Sequence, residues 1–308
     1  MYKALIIGCG NIGAGYDFDN NQILTHAKAF SLNTNFTFSI FDLDKMLTEK
    51  ISKKYQCEVV NEINAKTLSS FDCVCICVTT PYHFQYLLKT FEAKNKLVIC
   101  EKPVSYSLLE LEQLNDIYHQ SSSKILVNYI RRFQPLYFQL KQKIKPILIQ
   151  ECLTNISIRY YKGFINNCSH AFDIIEFLID KSINLSDIKK HNVKNDYFDN
   201  DPTLSLQAKW ENVNMNIDGL TNLCFSEFEI DLYFQFHKVK ISESGQTIEV
   251  LNSNNNTLVS EVIYKNCLKN YMEPIVNKAY EILNDKSIND NFIQSINLNK
   301  QMLNYINI

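Results

Sequence analysis

Four of the seven glycines in this 308-residue chain fall within eight positions, at Gly8, Gly10, Gly13 and Gly15. A chain this sparing of glycine concentrates it where the backbone needs positive φ or close approach. Gly8-Cys9-Gly10-Asn11-Ile12-Gly13 directly follows the apolar run 3–7. In that context the spacing suits a dinucleotide pyrophosphate: the first glycine makes the tight turn, the second admits the phosphates to the backbone, and the third lets a helix pack against the strand. Asp42 closes a second apolar run (36–41) and can accept hydrogen bonds from ribose hydroxyls while repelling a 2′-phosphate, so NAD is expected rather than NADP. Asp44 competes for that role or for a helix cap. Three further polar groups each follow a short apolar run: Thr79-Thr80-Pro81, Glu101-Lys102-Pro103, and Asn128-Tyr129 leading into Arg131 and Arg132. A partly desolvated lysine such as Lys102 can polarise a carbonyl or shuttle a proton. Arg131 and Arg132 can hold an anionic substrate group, or serve a salt bridge. His170 has the side chain that titrates near neutral pH, and Asp173, three residues on, can orient it or sit as a helix N-terminal carboxylate.

These groups gain weight from the elements that carry them. Apolar runs at 3–7, 36–41, 73–78, 97–100 and 124–127 alternate with helical patterns at 44–55, 82–93 and 107–121. Such alternation predicts a parallel sheet with helices on both faces, and the continuous run 73–78 fits a doubly buried strand. The glycine turn, Asp42, the TTP turn, the EKP triplet and the NYIRRF segment then all lie at carboxyl ends of strands, where open α/β sheets bind ligands. Beyond about residue 125 the rhythm changes. Strands are expected at 147–161, 203–210, 213–218, 226–236, 246–251 and 258–264, with a hairpin loop at Asn252–Asn256. Helices are expected from Ser169 to Ile179, and at 267–284 and 290–304. The expected fold class is α/β: a doubly wound Rossmann sheet over 1–125, then an α/β domain with a large open mixed or antiparallel sheet over 126–308. In 226–236 the apolar set Phe228, Ile230, Leu232 and Phe234 can face the domain's own helices or a partner sheet.

Composition removes several classes. With 31 Lys+Arg against 33 Asp+Glu, there is no basic surplus to neutralise phosphates, so no nucleic-acid partner is expected. No run approaches the ~20 apolar residues of a membrane span, and the amino-terminal apolar run is too short for a signal peptide. The ten cysteines lack zinc spacing, and Cys73, Cys75 and Cys77 alternate as free thiols on one strand face would. No metal is expected, and reduced thiols suit the cytoplasm.

The chain resembles the glucose–fructose oxidoreductase/inositol dehydrogenase/MocA (Gfo/Idh/MocA) family of nicotinamide-dependent oxidoreductases. The resemblance is carried by GCGNIG at 8–13, FDLD at 41–44, TTP at 79–81, CEKPVS at 100–105, NYIRRF at 128–133 and GFINNCSHAFDII at 163–175. The segment 16–30 resembles members associated with surface-polysaccharide sugars. The resemblance implies that Lys102 faces the nicotinamide and the reacting oxygen, that His170 is the acid/base, and that Glu101 contacts the cofactor ribose or holds its turn. It places Gly8, Gly10, Asn11, Ile12, Gly13, Asp42, Thr79, Thr80, Pro81, Glu101 and Lys102 at the cofactor. At a sugar or nucleotide-sugar substrate it places Lys102, Tyr129, Arg131, Arg132, Asn166, Asn167, His170 and Asp173. It also implies a homodimer or homotetramer formed through the carboxy-terminal sheet. Two positions depart from the pattern: Asn166 stands where many relatives carry a carboxylate, and Gln85 where many carry histidine. Asparagine cannot exchange a proton at neutral pH, so a catalytically impaired dinucleotide-binding sensor or scaffold stands as an alternative. An enzyme recycling a tightly held cofactor between two sugars is a third.

Overall fold

A computed structural model describes residues 1–307. The chain separates into two compact units, Met1–Ile130 with Asn270–Lys300, and Arg131–Lys269 with the residues from Gln301 onward. The first is built on six strands: β1 (Tyr2–Ile7), β2 (Phe36–Phe41), β3 (Glu58–Val59), β4 (Cys73–Ile76), β5 (Leu97–Cys100) and β6 (Lys124–Val127). Their order is β3-β2-β1-β4-β5-β6 and every pairing is parallel. Strands β4 and β5 are buried along their whole length, as a sheet covered on both faces requires. The order reverses between β1 and β4, which opens a crevice beyond their carboxyl ends.

Helices α1 (His26–Leu32), α2 (Lys45–Tyr55), α3 (Ala65–Leu68), α4 (His83–Glu92) and α5 (Leu108–His119) connect these strands. Thr25, Asp44, Asn64 and Ser107 cap four of them, each accepting from a backbone N–H three residues on. Asp44 is therefore a helix cap, which leaves Asp42 the strand-end carboxylate. No full helix follows Gly13 directly. A single π-helical turn spans Asn11–Gly15, and α1 waits until His26. The reason is Asp17, which is wholly buried. Its carboxylate accepts from the N–H groups of Leu24 and Thr25 and from the Thr25 hydroxyl, at 2.6, 2.8 and 2.8 Å. Residues 17–25 thus fold around a carboxylate rather than into a helix.

The second unit contains α6 (Pro135–Gln150), β7 (Leu153–Tyr161), α7 (Ser169–Ile179), β8 (Ser186–Lys194), β9 (Thr203–Trp210), β10 (Val213–Leu220), β11 (Phe228–Phe234), β12 (His237–Ser242), β13 (Thr247–Asn254) and β14 (Thr257–Tyr264). The sheet runs β14-β13-β12-β11-β7-β10-β9-β8, antiparallel except for β7 against β10. The α/β class with a mixed open sheet is as expected. Residues 147–150 are not strand: they finish α6, which carries Pro146 in its interior. The stretch 226–236 yields β11 and then turns into β12. Phe228, Ile230, Leu232 and Phe234 are buried within the chain itself, and the intervening Glu229, Asp231 and Tyr233 are half-buried.

Two helices close the chain, α8 (Glu273–Asn284) and α9 (Phe292–Asn307). The stretch 270–300 returns to the first unit, so that unit is not one continuous stretch ending near residue 125. The outer strand β6 explains part of this return. Asp290 accepts from Ile125 N–H at 2.8 Å, while the Asn291 side chain accepts from Val127 N–H at 2.8 Å and donates to Val127 C=O at 2.9 Å. Returning side chains thereby satisfy an edge that would otherwise be open.

Candidate active-site residues

The glycine turn is shaped by what a Cβ would meet. At Gly8, where φ is +97°, a Cβ would lie 2.8 Å from the Cys77 carbonyl carbon and from Val78 N. At Gly13 it would lie 2.1 Å from the Gly8 carbonyl oxygen, whereas at Gly10 it would meet nothing within 4 Å. The turn therefore packs tightly on the β4 side and stays open at its middle glycine, as a pyrophosphate cradle needs. Asp42 anchors it: Oδ2 accepts from Cys9 N–H at 2.7 Å and Oδ1 from Asp44 N–H at 3.0 Å. A cleft of about 310 Å³ opens beside Gly8, Gly10, Asp42, Thr79, Tyr82 and Gln85. A carboxylate, an uncovered glycine and a mostly apolar wall on one cleft fit the adenosine and phosphate portion of a dinucleotide.

Thr79 precedes one 3₁₀ turn, Thr80–Tyr82, which leads into α4. His83, the first residue of α4, is buried and ties two site loops together. Its Nδ1 lies 2.8 Å from the Pro103 carbonyl oxygen and its Nε2 2.9 Å from that of Val78. Burial holds this imidazole below its ordinary value, against two carbonyls that each favour an N–H. Glu101 is also buried, and its Oε1 accepts from His26 Nε2 at 2.8 Å and from Asn128 Nδ2 at 2.7 Å. Glu101 thus holds the turn. Burial disfavours its charge, but hydrogen bonds from His26 and Asn128 and the charges of His26 and Lys102 outweigh burial and keep the carboxyl below its usual range. Lys102 is half-buried and precedes Pro103 through a cis peptide bond. Tyr129 is buried beyond β6.

All ten cysteines are free thiols. Burial, with Asp42 nearby, pushes the Cys9 thiol up to about 12, and burial drives Cys77 and Cys100 well above their ordinary value, so none of these three is a thiolate at neutral pH. Among the described residues no group of three His, Cys, Asp or Glu side chains could hold a metal ion.

In the second unit, Gly163 (φ +75°) leads into a π-helical turn, Phe164–Cys168, that carries Asn166 and Asn167. Buried Asp201 caps this turn, accepting from Ile165 N–H at 2.6 Å and Asn166 N–H at 2.7 Å. A Cβ at Gly163 would lie 2.2 Å from Asp201 Oδ2, so glycine is needed for that approach. The Asn167 amide donates to the carbonyls of Tyr161 and Lys162 at 2.6 and 2.7 Å, a job within the fold. His170 lies in the first turn of α7, 9% exposed.

Asp173 is buried against Arg132 rather than set to steer His170. Arg132 Nε donates to Oδ2 at 3.1 Å and Nη2 pairs with Oδ1 at 2.8 Å. Burial raises the Asp173 carboxyl to about 6 in spite of Arg132 and Arg131. Arg131 Nη2 donates to the Ser244 carbonyl at 2.9 Å, and its guanidinium stacks 3.8 Å from the centre of the Phe228 ring. The salt-bridge reading thus describes Arg132, and Arg131 is a packing residue of the sheet.

Sequence patterns did not single out Asp17, His26 or Asp201. Each is a lone polar residue whose partner lies 7 to 75 positions away, so no local spacing announces it.

Comparison with known proteins agrees with this frame. Residues 2–129 match the model of the GFO_IDH_MocA family, described as an oxidoreductase family with an NAD-binding Rossmann fold. Those residues are thus similar to the NAD-binding Rossmann domain of that family. An inositol 2-dehydrogenase of Rhizobium meliloti (strain 1021) is 26% identical over 188 residues, 56% of this chain and 54% of that protein. The chain spans about half the length, or less, of the curated relatives it matches. Among solved structures, UDP-N-acetylglucosamine 3-dehydrogenase GnnA from Acidithiobacillus ferrooxidans is similar at TM-score 0.77 and 12% identity, covering 99% of this chain and 95% of that one. A super-repressor mutant of Gal80p from Saccharomyces cerevisiae is similar at TM-score 0.77 and 13% identity, with the same coverages. At these identities the likeness is one of fold, and the fold is shared by a dehydrogenase and a super-repressor mutant alike. No helix among the described residues is long and apolar enough to cross a membrane.

Proposed function

We propose that the protein is a nicotinamide-dependent dehydrogenase or reductase acting on a secondary alcohol or ketone of a sugar, cyclic polyol or nucleotide sugar. The observation that carries this is the gathering of the glycine turn, Asp42, Thr79 and the Glu101-Lys102-Pro103 loop at one carboxyl edge of a parallel sheet, around its switch point. Bound at that edge, the dinucleotide supplies the hydride acceptor or donor. Gly8 to Gly13 hold its phosphates and Asp42 its adenosine ribose, which favours NAD over NADP.

Lys102 hydrogen-bonds the substrate oxygen and stabilises negative charge there as the C–H bond breaks. By the family resemblance, His170 takes the hydroxyl proton while the carbon gives up its hydrogen together with the C–H bonding pair, as a hydride, and C=O forms; the reverse direction returns both. Asn166 donates to or accepts from a substrate hydroxyl without exchanging a proton. The resemblance places Tyr129, in the segment after β6, at the substrate. Resemblance of segment 16–30 favours a sugar of surface polysaccharides, and the family resemblance favours a homodimer or homotetramer through the carboxy-terminal sheet. The test is to incubate the pure protein with NAD or NADH and a panel of inositols, hexoses and nucleotide sugars while following reduced nicotinamide by absorbance. Turnover with at least one member supports the reading, and its loss in Lys102→Ala supports the role of the lysine.

Asn166 favours a second reading, in which the protein binds the dinucleotide and reports or scaffolds without turnover. Tight binding together with silence across the whole panel would select it.

A further inference from the structure

A buried chain of hydrogen bonds joins the segment before α1 to the lysine loop. The His26 ring is wholly buried, and its Nε2 donates to Glu101 Oε1 at 2.8 Å. The Asn128 amide donates to the same oxygen at 2.7 Å. His26 Nδ1 has no hydrogen-bond partner among the described residues, so the bond to Glu101 is the polar contact that orients the ring. The neighbours of His26 on α1, Ala27, Ala29 and Phe30, are buried apolar side chains. An apolar residue of similar size would suit such surroundings better unless the imidazole serves the carboxylate it faces.

The approach of His26 is built. Asp17 gathers Leu24 N–H, Thr25 N–H and the Thr25 hydroxyl, and Thr25 in turn caps α1 by accepting from Lys28 N–H at 3.2 Å. The residue delivered next in sequence is His26. At the far end, Glu101 immediately precedes Lys102, and the two charges act on each other. Burial alone would drive Glu101 toward its neutral form, which would leave a protonated acid beside the lysine.

We propose that His26 is a positioning residue: through Glu101 it fixes the lysine loop relative to the glycine turn and keeps a carboxylate charge beside the Lys102 ammonium. Residues 16–25 are then the strut that delivers it. This inference rests on the reading of Lys102 as the polarising group. It adds a function for a segment the chemistry above does not use.

The test measures Lys102 itself. Wild type, His26→Phe and His26→Gln are treated with limiting acetic anhydride across a pH series, and Lys102 acetylation is quantified by peptide mass spectrometry. Exposed Lys96 and Lys181 serve as internal references. Phenylalanine fills the space without a donor, whereas glutamine offers an N–H in place of Nε2. In His26→Phe the half-modification pH of Lys102 should fall by about one unit, because Glu101, no longer held by a donor from α1, moves away from the ammonium it favours. His26→Gln should restore the wild-type midpoint, which mere loosening of the fold would not. An unmoved midpoint in His26→Phe, or an equal shift in both variants, overturns the proposal. Should His26→Phe fail to fold, Glu101→Gln removes the same charge with little change of shape, and an unmoved Lys102 midpoint there overturns it equally. A parallel NADH titration separates the two ideas. Absent NADH binding sinks the proposed function yet leaves the Lys102 curve interpretable, while normal binding with an unmoved curve sinks only the role of His26.

Discussion

Replacing Asp42 by alanine should alter cofactor choice more than cofactor affinity, and the structure sets the scale. The carboxylate accepts from Cys9 N–H at 2.7 Å and Asp44 N–H at 3.0 Å, so it holds the glycine turn from one side and the entry to α2 from the other. A hydrogen bond to a charged group contributes about 1.5–3 kcal/mol. Losing a bond to the ribose, with some loosening of the turn, should weaken NADH by roughly 10- to 100-fold at 1.4 kcal/mol per tenfold. NADPH behaves differently, because the carboxylate repels its 2′-phosphate. Two unit charges about 5 Å apart at an effective dielectric near 20 repel by about 3 kcal/mol. Removing that repulsion offsets the loss, so NADPH should bind Asp42→Ala as well as or better than wild type. The NADPH-to-NADH affinity ratio should therefore rise by about 100-fold, read as two dissociation constants by calorimetry. Repulsion between screened charges weakens with salt, so the change in ratio should shrink between low and high ionic strength. An unchanged ratio in Asp42→Ala would refute the placement of the ribose at this carboxylate.

Gly13→Ala puts a Cβ 2.1 Å from the Gly8 carbonyl oxygen, so the turn must shift; NADH affinity should fall at least tenfold while circular dichroism keeps its wild-type shape. Asp173 gives a pH signature: burial raises its carboxyl from 3.8 to about 6. Its folded value exceeds its unfolded one, so its contribution is fully present below about pH 4 and is lost as pH rises through about 6, a change of about 3 kcal/mol. Asp173→Asn should flatten the pH dependence of Tm between pH 4 and 7, whatever its effect on absolute Tm; an equal slope in both proteins contradicts the buried pair. Because Cys152 and Cys224 are exposed and seven other cysteines are buried, a thiol reagent under native conditions should modify these two rapidly, with partly exposed Cys57 slower. Fast modification of Cys73, Cys75 or Cys77 would contradict the packing of β4.

Much of the first unit can be read from the sequence, and the physical reason is local. Runs such as CVCI and LVIC are doubly buried parallel strands, and their apolar continuity survives without knowledge of the partner strand. The glycine turn and the TTP and EKP groups follow such runs by adjacency alone. Elements governed by distant partners are harder. The apolar segment ILIQ at 147–150 reads as strand, yet it extends α6 beyond Pro146, where tertiary packing overrides β propensity. Strand β8, SDIKKHNVK, is an exposed edge with almost no apolar alternation and gives no signal. The residues that brace the candidate segments of each unit, Asp17 and His26 in the first and Asp201 in the second, act through backbone groups and carboxylates brought near only by folding. Arg132 and Asp173 were legible as charged candidates, but only the fold makes them partners of each other.

The account stands on the glycine turn and Asp42 forming a dinucleotide site. Calorimetric titration of the 308-residue chain with NADH tests that most directly. A single saturable site, with a dissociation constant between about 1 µM and 1 mM, is expected, and Gly13→Ala in the same titration should weaken it. No heat of binding at millimolar NADH and NADPH alike, from protein shown to be folded, would contradict it.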